Sequence, residues 1–217
     1  MQYKAILFDL DGTLLDTLAD LGNSMNRVLR SQGFPEHPLD AYRYFVGNGI
    51  RMLVTRTLPE TVRDEKTLKR CLSLFLQEYD QHWKDETRPY DGVPEMLDAL
   101  QTRGLKLAVF SNKPHDFTLL CVQELLSQWR FHAIAGQRET IPPKPDPGGA
   151  LEIARTLNLS PSEFLYLGDT GTDMQTAVAA GMFPVGALWG FRPREELVEH
   201  GAQTLLEHPI DILELLK

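Results

Sequence analysis

The chain has 217 residues, with 22 basic and 30 acidic side chains and a net charge of -8 at pH 7. This length suits one large domain or a modest domain with a smaller second one. The acidic balance argues against a nucleic-acid or anionic-membrane binder. Cys71 and Cys121 lack CxxC spacing, which argues against a disulfide framework or a structural zinc site. Without a secretory-signal layout or an apolar run of membrane-spanning length, we expect a cytoplasmic protein.

Short apolar runs alternate with helical patterns along much of the chain. The first run, residues 5–8, opens into Asp9-Leu10-Asp11-Gly12 and predicts a buried strand. Further apolar runs predict strands at 105–110, 132–135, 164–167 and 184–188. Helical periodicity separates them at 93–102, 117–126, 148–157 and 174–180. Since this alternation favours parallel strands with right-handed crossovers, we predict an α/β core with a doubly wound, Rossmann-like parallel sheet.

Residues 16–87 depart from this alternation, because helical patterns follow one another there without an evident strand. Apolar residues repeat at helical spacing from Leu18 to Leu29 and again from Leu68 to Trp83. A connection of this length far exceeds the usual loop of about 2–6 residues. We therefore predict an all-helical cap domain over 16–87, inserted into a core domain formed by 1–15 and 88–217.

Reactive side chains follow the predicted strands at the ends where open α/β sheets bind ligands. Asp9 and Asp11 follow the first strand, Ser111 follows the second, and Asp169 follows a later one, with Asp173 close behind. Like charges held close together cannot all stay ionised without a cation. Since magnesium prefers oxygen ligands, the pattern predicts a magnesium site at this edge of the sheet.

Four short motifs, in order, resemble those of the haloacid dehalogenase-like hydrolase superfamily. They are Asp9-Leu10-Asp11-Gly12-Thr13, Ser111, Lys144-Pro145-Asp146 and Gly168-Asp169-Thr170-Gly171-Thr172-Asp173. The resemblance covers the whole chain, including a helical cap between the first two motifs. It implies a magnesium-dependent phosphohydrolase that acts on a small phosphorylated metabolite.

The resemblance also implies a role for each motif residue. Asp9 is expected to be the nucleophile that forms an aspartyl-phosphate. Asp11 is expected to protonate the leaving alcohol and later to deprotonate the attacking water. Ser111 is expected to bind a phosphoryl oxygen, and Lys144 to balance charge on the transferring group. The predicted metal ligands are Asp9, the Asp11 carbonyl, Asp169 and Asp173, the last of them directly or through another ligand.

Each short motif taken alone has a simpler interpretation. Asp11-Gly12 is also a turn pattern, Asp169-Thr170 a helix start and Asp173 a helix cap. Thr13 is also interpretable as a turn residue whose hydroxyl has no task, and Lys144 as a solvated loop lysine. All four motifs in one chain favour the catalytic interpretation, because independent coincidences multiply.

Substrate selection is expected to come from the cap, which closes over such sites. Residues 45–51 place Asn48 between two glycines at a predicted helix start, and Arg51 suits a carboxylate. This segment and residues 111–114 are similar to the corresponding segments of phosphoglycolate phosphatases. The alternatives are an interhelical turn with a surface arginine and, at Lys113, an exposed loop lysine. The predicted substrate-binding residues are Gly12, Thr13, Asn48, Gly49, Arg51, Asn112 and Lys113.

The best substrate suggested by this resemblance is 2-phosphoglycolate, and other functions stay open beside it. A sugar-phosphate mutase of the β-phosphoglucomutase type would use cap residues such as His37 or Lys84 to hold a bisphosphate intermediate. A phosphatase of the same superfamily for pyrophosphate or nucleotides is a further alternative. A non-catalytic binding protein would have no need for the whole acidic set. We expect a monomer or a homodimer with no nucleic-acid or membrane partner.

Overall fold

The computed structural model describes residues 3–216. The strands are β1 (Ala5–Phe8), β2 (Leu15–Asp16), β3 (Arg88–Pro89), β4 (Lys106–Pro114), β5 (Phe131–Gln137), β6 (Phe164–Gly168), β7 (Phe183–Ala187) and β8 (Thr204–Leu206). The α-helices are α1 (Leu18–Ser31), α2 (Tyr42–Phe45), α3 (Ile50–Thr57), α4 (Glu65–His82), α5 (Val93–Thr102), α6 (His115–Leu125), α7 (Gly148–Leu157), α8 (Gly171–Ala180) and α9 (Arg194–Glu199). Short 3-10 helices occupy Leu39–Ala41, Glu60–Val62, Pro161–Glu163 and Pro209–Leu216. Within 3–216, no helix combines the length and the apolar character that crossing a membrane requires.

Six strands form one parallel sheet in the order β5-β4-β1-β6-β7-β8. This confirms the predicted α/β fold with a doubly wound parallel sheet. After β1 the sheet grows on one side through β4 and β5, and then on the other side through β6, β7 and β8. The strand order therefore reverses between β1 and β6. Open α/β sheets bind their ligands at such a point.

The central strands are apolar along their whole length, as burial on both faces requires. All four residues of β1 and all five of β6 are buried. Phe8 is in register with Val109 of β4 on one side and with Leu167 of β6 on the other. Because these strands are parallel, the residues that follow them leave the sheet at one shared edge.

Two elements, α8 and β4, extend beyond their predicted ranges into polar residues that apolar periodicity does not predict. α8 begins at Gly171, three residues before the predicted start, because Thr170 and Asp173 form a capping box. In this box the Thr170 side chain accepts from the N–H of Asp173, and the Asp173 side chain accepts from the N–H of Thr170. β4 likewise continues past the predicted end of its apolar run, through residues 111–114. Both extensions carry residues of the candidate site.

The chain divides into two compact units. The core unit consists of the residues up to Leu15 and from Pro89 onward, and it contains the parallel sheet. The cap unit, Asp16–Arg88, contains α1 to α4. β2 and β3 pair with each other where the chain passes from one unit to the other. The predicted domain boundaries stay a prediction, since compactness alone does not establish that either unit folds independently.

Within the cap unit, α1 and α4 pack against each other. Both bury an apolar face, with Met25 and Leu29 on α1 and Phe75 and Tyr79 on α4. The buried carboxylate of Asp20 accepts hydrogen bonds from the backbone N–H groups of residues 86 and 87. These contacts attach the end of the cap unit to its first helix.

Candidate active site

Acidic and basic side chains converge at the edge of the sheet where β1, β4 and β6 end. Asp9 and Asp11 follow β1, Ser111 and Lys113 lie in β4, Lys144 precedes α7, Asp169 follows β6 and Asp173 lies in α8. All of these belong to the core unit, and all except Asp11 are buried. The fold thus brings together residues from four separate segments of the chain.

Three carboxylates form the centre of this group. Asp9, Asp169 and Asp173 each present an oxygen within 4.8 Å of the others, and within residues 3–216 they are the one such set of potential metal ligands. Burial, followed by the charge of Asp173, raises the pKa of Asp9 well above its usual value, although Lys144 opposes the shift. The same two causes raise the pKa of Asp169 to about 7. Such a cluster of hard oxygen donors fits a divalent cation, which would relieve the repulsion.

Lys144 is a cation inside this cluster. Its Nζ lies 2.9 Å from Asp9 Oδ1 and 2.6 Å from Asp173 Oδ1, and it donates to the carbonyl of Phe110 at 3.1 Å. Its side chain is 1% exposed. Burial by itself lowers the pKa of Lys144, but the adjacent Asp173 and Asp9 raise it well above its usual value. The simpler interpretation of Lys144 as a solvated loop lysine is therefore wrong.

Asn112 holds the loop that carries Lys144. Its Oδ1 accepts a hydrogen bond from the backbone N–H of Lys144 at 2.8 Å, and its Nδ2 donates to the Lys144 carbonyl at 3.2 Å. This two-point contact fixes the backbone of Lys144 beside β4. The substrate contact predicted for Asn112 stays a prediction, and the contact with Lys144 gives this side chain a positioning role. Ser111 lies next to it, and its Oγ accepts from the backbone N–H of Lys113.

Asp11 and Lys113 form a second ion pair. Lys113 Nζ donates to Asp11 Oδ1 at 3.0 Å and lies 3.3 Å from Oδ2. The Lys113 side chain is 2% exposed, so the alternative of an exposed loop lysine is wrong. The Asp11 side chain is 12% exposed, which makes it the more accessible carboxylate of the site. A carboxylate that solvent and ligands can reach suits the transfer of protons.

Hydrogen-bond donors contact both carboxylate oxygens of Asp169. Thr13 Oγ1 donates to Oδ1 at 2.8 Å, and the backbone N–H of Phe191 donates to Oδ2 at 2.8 Å. The interpretation in which the Thr13 hydroxyl has no task is therefore wrong. Trp189 Nε1 in turn donates to the Thr13 carbonyl at 2.9 Å. Neither Trp189 nor Phe191 belongs to the motifs from which the site was predicted. Their available signal was a glycine between two aromatic residues, directly after a predicted strand.

Gly12 adjoins the same carboxylate. Its φ of +87° lies in the left-handed region, which favours glycine. A Cβ atom at this position would lie 2.4 Å from Asp169 Oδ2. Gly12 therefore permits the chain after β1 to pass directly beside Asp169, while its predicted substrate contact stays a prediction.

Asp173 combines two tasks. Its Oδ2 accepts from the N–H of Thr170 at 3.1 Å and from Thr170 Oγ1 at 2.6 Å, which closes the N-terminus of α8. Its Oδ1 accepts from Lys144 Nζ. The helix-cap interpretation and the contact with the charged cluster are thus both present. Direct metal coordination by Asp173 stays a prediction.

In the cap unit, the residues predicted to bind substrate have partners of their own. Arg51 Nη2 lies 2.7 Å from Glu65 Oε2, and 55% of the arginine side chain is exposed. Asn48 Oδ1 accepts from Arg56 Nη2 at 2.7 Å, and Gly49 is the N-cap residue of α3. These contacts describe a helix start that carries an exposed, paired arginine. Substrate binding by Asn48, Gly49 and Arg51 stays a prediction.

The sequence also matches a family model. The model of the haloacid dehalogenase-like hydrolases matches residues 6–187, which include all four motifs. The chain belongs to the haloacid dehalogenase-like hydrolase family. The resemblance inferred from the motifs is thus confirmed, while the roles of the individual site residues stay a prediction.

Similar individual proteins indicate which type of hydrolase this chain is. A phosphoglycolate phosphatase from Nitrosospira multiformis is 33% identical over 220 residues, which cover 99% of this chain and 96% of that protein. An N-acetylmuramic acid 6-phosphate phosphatase from Pseudomonas aeruginosa is 30% identical, over 100% and 96% of the two chains. A crystal structure from Lactobacillus delbrueckii subsp. bulgaricus has a TM-score of 0.93 at 30% identity and covers 100% of this chain and 99% of that one. These similarities confirm a haloacid dehalogenase-like phosphatase of the phosphoglycolate phosphatase type.

Proposed function

We propose that the protein is a magnesium-dependent phosphomonoester hydrolase that forms an aspartyl-phosphate on Asp9. The observation that carries this proposal is the buried cluster in which Asp9 contacts Lys144 at 2.9 Å and shares a site with Asp169 and Asp173. Asp9, Asp169 and the carbonyl of Asp11 would hold magnesium, and Asp173 would act directly or through Lys144. Bound there, magnesium would offset the charge of the carboxylates and of the transferring phosphoryl group.

The residues of the chain divide the work of the proposed reaction. A carboxylate oxygen of Asp9 forms a bond to phosphorus while the bond from phosphorus to the ester oxygen breaks. Asp11, in its protonated form, gives a proton to that departing oxygen, and the resulting carboxylate then takes a proton from a water molecule. The water oxygen attacks phosphorus, which releases inorganic phosphate and regenerates Asp9. Lys144 balances the charge on Asp9, and Ser111 donates to a phosphoryl oxygen.

Two substrates are favoured by the relatives. The best candidate is 2-phosphoglycolate, because relatives with that activity in their names align over nearly the whole chain. N-acetylmuramic acid 6-phosphate is the second candidate, because a relative with that substrate in its name is 30% identical. Both molecules are phosphate monoesters that also carry a carboxylate. We therefore propose a small carboxylate-bearing phosphate ester as substrate, with Arg51 as the candidate contact for the carboxylate, and a cytoplasmic monomer or homodimer as the working form.

The test is phosphate release from a panel of esters, with magnesium and then with a chelator. The panel contains 2-phosphoglycolate, N-acetylmuramic acid 6-phosphate, hexose phosphates, nucleotides and pyrophosphate, and Asp9→Asn is the inactive control. Release that depends on magnesium and is fastest with a carboxylate-bearing ester supports the proposal. Conversion of one hexose phosphate into another without phosphate release would favour a mutase. No reaction with any compound would refute the proposal and favour a binding protein.

A further inference from the structure

We propose that residues 189–191, here called the 189–191 loop, are a positioning element that sets the direction from which Asp169 meets the metal ion. The loop follows β7 and contributes no carboxylate of its own. This inference rests on the magnesium site of the proposed function. It adds Trp189 and Gly190 to the residues on which that site depends.

The loop contacts the Asp169 carboxylate directly. The N–H of Phe191 donates to Oδ2, and the hydroxyl of Thr13 donates to Oδ1, both at 2.8 Å. Two donors on different oxygens fix the rotation of the carboxylate plane. Since an ionised carboxylate has about four acceptor sites, each oxygen keeps capacity for a cation.

The loop also controls the second of these donors. Trp189 Nε1 donates to the carbonyl of Thr13 at 2.9 Å, so the indole holds the backbone from which the Thr13 hydroxyl extends. Trp189 and Phe191 therefore act on opposite oxygens of Asp169, one through Thr13 and the other directly. Both effects come from a segment 20 or more residues after Asp169.

Gly190 permits this close approach. A Cβ atom on Gly190 would lie 2.2 Å from Asp169 Cβ and 2.5 Å from the carbonyl oxygen of Gly12. Its φ lies outside the left-handed region, so the backbone conformation itself accepts alanine. The requirement for glycine is therefore one of space, and a methyl group at this position would displace Asp169 or the chain beside it.

The site should keep its ligands but lose their alignment when the loop is altered. Partners that orient a metal ligand typically contribute about 10–100-fold to metal affinity. We expect Gly190→Ala to weaken magnesium binding by about 10–100-fold, because it acts on Asp169 directly. Trp189→Phe should weaken it by about 10-fold, at the lower end of this range, because it removes only the indole donor and retains an aromatic ring.

The experiment is calorimetric titration of magnesium into the metal-free full-length protein without substrate, with circular dichroism to verify folding. Gly186→Ala is the matched control, because a Cβ atom there meets side-chain atoms of Leu205 at 2.6 Å and Leu197 at 3.0 Å rather than Asp169. It is buried in β7, the strand that leads into the loop. This control should lower the melting temperature while the dissociation constant for magnesium stays within about twofold of wild type.

A dissociation constant for both loop variants within about twofold of wild type would overturn the inference. An equal weakening in the Gly186→Ala control would also overturn it, because the effect would then reflect general destabilisation. If Gly190→Ala does not fold, the result for Trp189→Phe decides. The proposed reaction is tested separately: a wild type that binds magnesium and releases no phosphate refutes the reaction, and the loop variants still decide this inference.

Discussion

The carboxylate cluster of the core unit and residues 45–51 of the cap unit both contain residues that the motifs predict to take part in the reaction, but their charged side chains differ in burial. Asp9, Lys144 and Asp169 are at most 5% exposed, and each contacts several protein groups. Arg51 is mostly exposed and pairs with Glu65. Burying charge costs free energy, whereas an exposed ion pair costs or contributes little. The buried charges therefore mark the candidate active site, whereas the cap residues predicted to bind substrate include an arginine whose exposed ion pair carries less information.

The largest effect that would sharpen this comparison is expected from Asp9→Asn. An amide cannot serve as the nucleophile, so kcat should fall by at least about 10³-fold. The asparagine Oδ1 can still accept the hydrogen bond that Asp9 Oδ1 receives from Leu10 N–H at 2.7 Å, and Lys144 keeps Asp173 as its counter-ion. Phosphate release measures the loss, and circular dichroism verifies the fold.

The same variant tests the repulsion within the cluster. Removal of one buried carboxylate charge should raise the melting temperature of the metal-free protein at mildly alkaline pH, because burial and the charge of Asp173 disfavour the ionised form of Asp9 and raise its pKa. Thermal denaturation in chelator measures this change. Activity within tenfold of wild type would remove Asp9 from the role of nucleophile, and a lowered melting temperature would contradict the account of the cluster.

A large loss of stability is expected from Lys144→Met. The substitution leaves Asp9 and Asp173 without the cation that contacts both of them, and breaking a buried pair typically costs about 3–5 kcal/mol. Urea denaturation in chelator measures the free energy of unfolding. Lys106→Met is the control, because this half-buried lysine donates to the Leu157 carbonyl and its loss should cost about 1 kcal/mol. Equal losses in the free energy of unfolding for the two variants would show that the buried ion pairs of Lys144 stabilise the protein no more than the hydrogen bond of Lys106 does.

A smaller effect is expected from pH. The pKa of Asp169 is about 7 in the folded protein, against an ordinary aspartate value of about 4. The folded state therefore binds the proton of Asp169 more tightly than the unfolded state does. The stability that this proton contributes is lost as pH rises from the unfolded pKa to the folded pKa. The proposed magnesium ion would compete with this proton for Asp169, so the stabilisation by magnesium should increase with pH.

Thermal denaturation at about pH 5.5 and about pH 8, each with magnesium and with chelator, measures this competition. The shift in melting temperature caused by magnesium should be larger at the higher pH by about a few degrees. Equal shifts in melting temperature at the two pH values would show that magnesium binding does not depend on the protonation of Asp169.

The smallest effect on stability is expected in the cap. Arg51→Ala removes an exposed ion pair and should leave the free energy of unfolding nearly unchanged. If Arg51 binds the substrate carboxylate, KM for 2-phosphoglycolate should rise about 10-fold or more, while KM for an aryl phosphate without a carboxylate stays the same. Arg43→Ala, another exposed cap arginine with an acidic partner, is the control. A rise in KM for both esters, or for neither, would exclude this role.

Elements with a long apolar run or a strong period could be predicted from the sequence. The predicted helices at 93–102 and 148–157 coincide with α5 and α7, and the runs that predicted β1 and β6 lie within those strands. α9 and β8 were not predicted, because elements of six and three residues with mixed polarity are too short to show a period.

The contacts within the candidate site could likewise be predicted from the sequence only in part. Its charged residues could be named from motifs, but the pairing of Lys113 with Asp11 joins positions 102 residues apart and depends on β4 running beside β1. The 189–191 loop acts through a backbone N–H, an indole N–H and the absence of a side chain at Gly190. These three features are not part of a motif of charged residues. The contact of the loop with Asp169 could therefore not be predicted from the sequence and is known only from the structure.

The position of β1 in the middle of the sheet has a consequence for how the protein is made. This strand leaves the ribosome before both of its neighbours, because β4 and β6 begin only at Lys106 and Phe164. Until those segments have been synthesised, an apolar strand without partners is a target for aggregation or chaperone binding. The order of the later segments limits a second problem, the repulsion among the carboxylates of the cluster. Lys144 is synthesised before Asp169 and Asp173, so the growing chain already contains the cation when the last two carboxylates of the cluster arrive.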